Sequence, residues 1–139
     1  MALPYYPEIG TIVICDYHGF VTPEMTKRRL AVVVSPRFRG RENLCTIVPF
    51  STTAPVPEMP YHYLLHMVTP LPPPNNSLQQ WVKGDMFSTV SLNRLDLPHQ
   101  KDFAGKRQYI TRVVGAADLA NIRKCVLHAL GFSDLTAHL

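Results

Sequence analysis

Arg28 and Arg29 open an apolar run, Leu30 to Val34, that closes on Ser35-Pro36, and a second apolar run, Leu44 to Phe50, closes on the hydroxyls of Ser51 and Thr52. Between them lies a basic loop, Arg37-Phe38-Arg39-Gly40-Arg41. If the two runs fold back on each other about Gly40, position 29 falls opposite position 51, since each is eleven residues from the glycine. A guanidinium beside two hydroxyls at one end of a rigid hairpin is suited to a phosphate, which accepts paired N–H bonds from arginine and single bonds from hydroxyls. A third stretch, Trp81-Val82-Lys83-Gly84-Asp85, reads as strand. Its alternation places Trp81, Lys83 and Asp85 on one face, each ~6.6 Å from the next. Lys83 and Asp85 then either pair with each other on an exposed strand or grip opposite sides of one small group. Gly84 between them suits a place where a backbone or a ligand comes close.

Other reactive types carry less. His62 and His66 have the spacing of a helical metal pair, but their neighbours read as strand, which would hold the two rings ~13 Å apart. His18 falls in a loop that could cover the site and is placed to assist proton transfer or hold substrate. No phosphate-binding glycine loop, dinucleotide fingerprint, nucleophile elbow or zinc-protease helix occurs, and no acidic cluster of the kind that holds Mg²⁺. Chemistry without metal or cofactor is expected. Cys15, Cys45 and Cys125 are odd in number and widely spaced, and read as buried thiols.

These residues need elements to position them. Residues 10–17 read as a first strand, 18–28 as a loop, 29–36 and 43–51 as the hairpin, 61–68 as a fourth strand and 79–84 as a fifth. Asp85 to Leu92 continues the fifth strand or bends from it, and 106–110 forms a short further strand. The 13 prolines concentrate in 55–60 and 70–74, which marks two long connections. One helix is expected over 116–130, with Leu119, Ile122, Val126 and Ala129 at helical spacing, Asp118 in its first turn and Gly131 as its cap. Short strands, one terminal helix and no strand–helix alternation predict a mainly β domain over 1–139: a small barrel with a helix packed on it.

The 139 residues, 46% apolar, suffice for a core, and the net charge of +4 is modest. Its distribution is less so. Lys27, Arg28, Arg29, Arg37, Arg39 and Arg41 all fall on or beside the hairpin with no carboxylate before Glu42, which favours an anionic partner. The N-terminal residues lack the pattern of a signal peptide and no apolar run is long enough to span a bilayer, so a cytoplasmic chain without membrane attachment is expected.

The combination resembles the MazF/PemK family of toxin–antitoxin ribonucleases. The likeness covers about residues 8–132. It runs through Gly10-Thr11-Ile12-Val13, then Arg28-Arg29-Leu30 to Ser35-Pro36, where the family has Arg-Pro-x-x-x-x-Ser/Thr-Pro, then Pro49-Phe50-Ser51-Thr52, Lys83-Gly84-Asp85, and the helix ending Ala129-Leu130-Gly131-Phe132. Leu30 stands where the family usually has proline, Ser51 where it has threonine and Lys83 where arginine is commoner. The resemblance implies an SH3-like barrel with a C-terminal helix, a homodimer, single-stranded RNA as substrate and a cognate acidic antitoxin as partner. It places the catalytic set on Arg29, Ser51, Lys83 and Asp85.

Metal-free RNA cleavage fits those residue types. The ribose 2′-OH attacks the adjacent phosphorus, which needs a base on that hydroxyl, a donor to the 5′-oxygen leaving group and positive charge on the phosphorane. Arg29 is expected to stabilise the phosphorane, Ser51 and Thr52 to bond the phosphate, and Asp85 to act as base. Lys83 serves as acid or as electrostatic clamp, and since a free ammonium titrates near ~10.4 the clamp is the better role. Lys27, Arg28, Arg37, Arg39 and His18 are expected along the substrate, with Trp81, Phe38 and Tyr17 as stacking surfaces. The alternative is a catalytically inert module that holds RNA or an acidic peptide on the same barrel. A gyrase poison of the related CcdB type ranks below both, because those toxins depend on a tryptophan near the C-terminus and the only tryptophan here is Trp81.

Overall fold

β-branched and apolar residues dominate the segments that become the central strands, and the computed structural model, described here for residues 3–139, pairs them antiparallel throughout. The elements are β1 (Ile12–Cys15), β2 (Arg29–Val33), β3 (Leu44–Ser51), β4 (His62–His66), β5 (Gln79–Lys83), β6 (Ser88–Ser91), β7 (Leu95–Asp96), β8 (His99–Lys101), β9 (Arg107–Tyr109) and the helix α1 (Ala116–Ala129). The main sheet runs β4-β5-β3-β2-β1-β7, with β6 also on β3, while β8 and β9 form a separate two-stranded ribbon. The expected strands and helix are all present, shortened by a residue or more at most ends. β8 has no counterpart in the sequence reading, because His99-Gln100-Lys101 offers no apolar alternation.

β1 is buried at every position and β2 at all but Arg29, so both faces of the sheet carry core. On one face Val13, Cys15, Ala31, Val33, Cys45 and Ile47 pack with Tyr17, Val90 and Leu95. On the other, Ile12, Ile14, Leu30, Val32, Val48 and Phe50 pack with Val82, Leu65 and Ile122 of α1. The period-2 alternation of side chains makes this split automatic.

β3 is the hub. One edge pairs β2, and the other is shared, Leu44–Ile47 with β6 and Phe50–Ser51 with β5. The chain changes from β5 to β6 through a 3-10 turn, Gly84–Met86. Barrel closure is not seen among the described residues: β4 and β7 stand at the two ends of the sheet with no ladder between them. What the structure shows is a mainly β fold with one C-terminal helix. The 3-10 turn also explains Gly84. A Cβ there would lie 2.5 Å from Cys125 Cβ and 2.7 Å from the Cys125 carbonyl carbon, so the close neighbour is the helix backbone and not a ligand.

α1 ends as its sequence requires. Gly131 has φ +81°, its N–H reaches His128 O at 3.1 Å, and Phe132 N–H reaches Leu127 O at 2.8 Å, the paired bonds of a Schellman cap. The three cysteines are free and buried. Burial pushes the Cys15 thiol up to about 12 and the Cys125 thiol up to about 11. No helix among the described residues is long and apolar enough to cross a membrane.

Candidate active site

The hairpin register is the one the spacing predicts. Ala31, Val32 and Val33 face Pro49, Val48 and Ile47, and the same register carried two residues past the last of these pairs sets Arg29 opposite Ser51, both lining one cavity. Cys15 faces Arg29 on the other edge of β2, Ser51 faces Trp81, and Trp81 faces Leu64. Directly opposed residues share a face and lie ~4.5–5.5 Å apart at Cα. Arg29, Ser51 and Trp81 therefore form one row across three strands, with Lys83 and His62, opposed to each other, in the next row.

Arg28, Arg29, Ser51, Thr52, Asn75 and Gln80 line an open cavity of about 240 Å³ where β2 and β3 end. Asn75 arrives from the proline-rich connection 69–78. The two arginines differ in how their charges are met. Arg28 Nη1 lies 3.6 Å from Asp16 Oδ2 on the surface. Arg29 has no ion-pair partner among the described residues, and its Nε is buried without a hydrogen bond. A buried guanidinium N–H without an acceptor is costly, and an oxyanion at this cavity would supply one. Gln80 was missed by the sequence reading. It is 3% exposed and its Nε2 donates to Ser77 O at 3.1 Å, which ties the connection to β5. A glutamine at an inward position of an alternating strand was the available signal.

Lys83 and Asp85 do not stand as the alternation predicts. The strand stops at Lys83 and Asp85 sits in the 3-10 turn, exposed, so the two no longer repeat at strand spacing on one face. They form no ion pair with each other among the described residues. The physical reason is Gly84, drawn against α1 and bending the chain there. Asp85 instead lines a second cavity of about 310 Å³ with Tyr17, Met25, Met86 and Ser88. That cavity opens on the face that carries Arg29, since Ser88 faces Ile47 on β3 and Tyr17 packs with Ala31 and Val33. Tyr17 is 1% exposed, and burial raises its phenol above the ordinary range while the charge of Arg29 acts in the opposite direction.

His62 is a neighbour of this region that spacing arguments passed over. Its Nδ1 accepts the Met59 backbone N–H at 3.0 Å, so the neutral ring carries its proton on Nε2. Burial and then the charge of Lys83 lower its pKa, with Asp85 and Glu58 opposing.

The remaining expected contacts divide. Lys27 is exposed next to Arg28, and Trp81 is half-buried in the Arg29 row. His18 is exposed, and its loop is clasped by Arg94, whose Nη1 donates to Asp16 O at 2.9 Å and His18 O at 2.6 Å while its guanidinium lies 5.0 Å from the Phe20 ring centre. Arg37, Phe38 and Arg39 are exposed in the turn of the hairpin, at the far end from Arg29. Eight residues of extended chain span roughly 26 Å, so the hairpin that aligns Arg29 with Ser51 also carries Arg37 away from them.

Comparison with known proteins agrees with this architecture. Residues 8–129 match the family model described as PemK-like, MazF-like toxin of type II toxin-antitoxin system. The YifN protein of Escherichia coli K12 is 26% identical over 157 aligned positions, covering 97% of this chain and 99% of its own. A Haemophilus influenzae Rd protein is 27% identical over 142 positions, covering 93% of each. Among solved structures, MazF from Deinococcus radiodurans superimposes with a TM-score of 0.62 at 20% identity, over 91% of this chain and 98% of its own. A mycobacterial endoribonuclease in complex with its cognate antitoxin gives 0.59 at 20% identity, over 90% and 95%. With the sheet order, the terminal helix and a family match across most of its length, the chain belongs to the PemK-like, MazF-like toxins of type II toxin–antitoxin systems.

Proposed function

We propose that this toxin is a sequence-specific endoribonuclease that cuts single-stranded RNA without a metal, by attack of a ribose 2′-OH on the adjacent phosphorus, leaving a 2′,3′-cyclic phosphate. The observation that carries the reading is the Arg29 guanidinium, without an acidic partner among the described residues and with its Nε unbonded, in register with Ser51 at the mouth of one cavity. Arg29 stabilises the phosphorane, Ser51 and Thr52 donate to the non-bridging oxygens, and Trp81 offers a stacking surface in the same row. Lys83 supplies a second positive charge beside the 5′-oxygen, which leaves as its bond to phosphorus breaks and takes its proton from water. Asp85, in the second cavity, takes the 2′-OH proton from an RNA strand long enough to reach both cavities. Lys27 and Arg28 bind the flanking backbone. The protein acts in the cytoplasm as a homodimer, on a barrel of the SH3-like type, and a cognate acidic antitoxin covers the cationic mouth.

The test is cleavage of a long single-stranded RNA in EDTA, with the new ends mapped. Wild type is expected to cut at recurrent short sequences and Arg29→Ala to leave the RNA whole while keeping the circular dichroism of the native fold. Cutting that needs added metal, or that survives in Arg29→Ala, removes the mechanism. The separation of Asp85 from the Arg29 cavity favours one second reading, a module that binds RNA or an acidic peptide without cutting it. Salt-sensitive binding with no product after prolonged incubation would select that reading.

A further inference from the structure

The ribbon of β8 and β9 contributes no buried residue between Gln100 and Tyr109, yet polar contacts tie it together from root to tip. At its root Asp96, 4% exposed, lies 3.6 Å from Arg107 Nη1 and 3.8 Å from His99 Nδ1, and Ile110 N–H bonds Pro98 O at 2.8 Å. The His99 and Tyr109 rings meet with centroids 5.6 Å apart. At its tip Asp102 Oδ1 accepts the N–H groups of Ala104 and Lys106, both at 2.9 Å, and its Oδ2 accepts Gln108 Nε2 at 3.1 Å. The arm's only carboxylate is thus committed to holding the turn. Phe103 is left with its side chain fully in solvent, at 113% relative exposure, and Lys101 and Lys106 are exposed on either side.

We infer that this arm is a second contact for single-stranded RNA, with Phe103 stacking on a base and Lys101 and Lys106 on the phosphates that flank it. Protein-binding hot spots surround an aromatic anchor with apolar area and are depleted in lysine. Phe103 has the opposite setting, Lys101-Asp102 before it and Ala104-Gly105-Lys106 after it, without another large apolar side chain. One aromatic face between ammonium groups is the pattern of sequence-tolerant single-strand binding. Position sets the length of RNA the arm can meet. Asp96 faces Ile14, and Ile14 faces Leu30, so the root of the arm is two strand spacings, roughly 10 Å, from the strand that begins at Arg29. β7 runs from the level of Arg29 towards the Thr11 end of the sheet, where the arm returns through Arg112 and Val113, so the arm meets an RNA strand that is held at Arg29 and long enough to follow the sheet to that end. The inference deepens the ribonuclease reading and rests on RNA being the substrate.

The experiment measures binding of 2′-O-methyl RNA, which cannot be cut, by fluorescence anisotropy over a series of lengths. Phe103→Ala is expected to weaken binding of long RNA roughly 10- to 100-fold. The penalty should vanish as the RNA is shortened past the arm. Lys101→Ala with Lys106→Ala should flatten the plot of log affinity against log salt by roughly 1.4. Phe103→Trp should retain affinity, and RNA should quench its indole beyond any change in the wild-type emission of Trp81. The same quenching is expected in Phe103→Trp with Arg29→Ala, which isolates the arm from catalysis. Unchanged affinity in Phe103→Ala, or no added quenching in Phe103→Trp, overturns the proposal whether or not the wild type cuts RNA. So does a loss in Phe103→Ala that is equal at every length and accompanied by a smaller oligomer, since that makes the arm a self-association element. Quenching in Phe103→Trp together with a wild type that does not cut RNA would sink the nuclease and leave the arm standing.

Discussion

Adding one methyl group at Gly84 tests how the helix positions the site. The new carbon would lie 2.5 Å from Cys125 Cβ, 2.7 Å from its carbonyl carbon and 2.9 Å from its oxygen. Two of these three atoms are backbone in the middle of α1, so no rotamer change relieves them. Overpacking of this kind costs about 1–3 kcal/mol. At 139 residues each kcal/mol lowers the melting temperature by roughly 3–5 °C, so Gly84→Ala should melt about 3–15 °C below wild type. The added carbon must be accommodated by lifting the turn from the helix, which carries Asp85 and Met86 with it, so any activity that depends on Asp85 should fall as well. Urea titration followed by Trp81 emission gives the stability change directly, with an unchanged slope as the sign that two-state behaviour holds. Gly84→Ala with Cys125→Gly removes the Cβ contact but neither backbone contact, so it should recover only part of the loss. A Gly84→Ala protein as stable as wild type, or one fully rescued by Cys125→Gly, would refute the claim that the helix backbone bends the chain at this point.

Arg29→Lys keeps the charge but loses the Nε–H and the planar fork, and initial cleavage rates should drop by about 10²–10³ with no change in melting temperature beyond roughly 1 °C. Burial raises the thiols of Cys15 and Cys125, so the folded state holds their protons more tightly than the unfolded one. Their contribution to stability is complete below the ordinary thiol value of 9.0 and is lost as pH rises towards about 11 and about 12, which denaturation midpoints between pH 8 and 11 should show. In native protein at pH 8 none of the three buried thiols should react with a disulfide reagent within minutes, and unfolding should release all three. Gly131→Ala places a side chain at φ +81° and should cost about 1 kcal/mol, read from the same urea titration, with the helix C-terminus exchanging its amides faster.

Much of the frame is legible in residue order alone. The runs Leu30–Val34 and Leu44–Phe50 are apolar enough to be central strands, and the basic loop about Gly40 sets their register, so Arg29 meets Ser51 for reasons a reader of the sequence can reconstruct. The helix and its glycine cap follow from periodicity in the same way. What escaped depends on contacts between distant segments. Nothing local in Trp81–Asp85 announces that Cys125, forty residues on, will press against Gly84 and end the strand there. The basic loop was grouped with Arg29 by proximity in sequence, whereas a hairpin places its turn and its open end apart. His99-Gln100-Lys101 is a strand only because Arg107-Gln108-Tyr109 returns beside it.

The divided edge of β3 has a consequence for how tightly the mouth of the cavity is held. A slip of one residue in that strand would send Ser51 to the helix side and Phe50 towards solvent, and three neighbours resist it together: β2 along one edge, β5 and β6 along the other. The longest of these three ladders joins Leu44–Ile47 to β6, remote from the cavity. The alignment of a phosphate-sized site is thereby anchored by residues that never meet its ligand, and the surrounding loops are left free to vary in length and chemistry without retuning it.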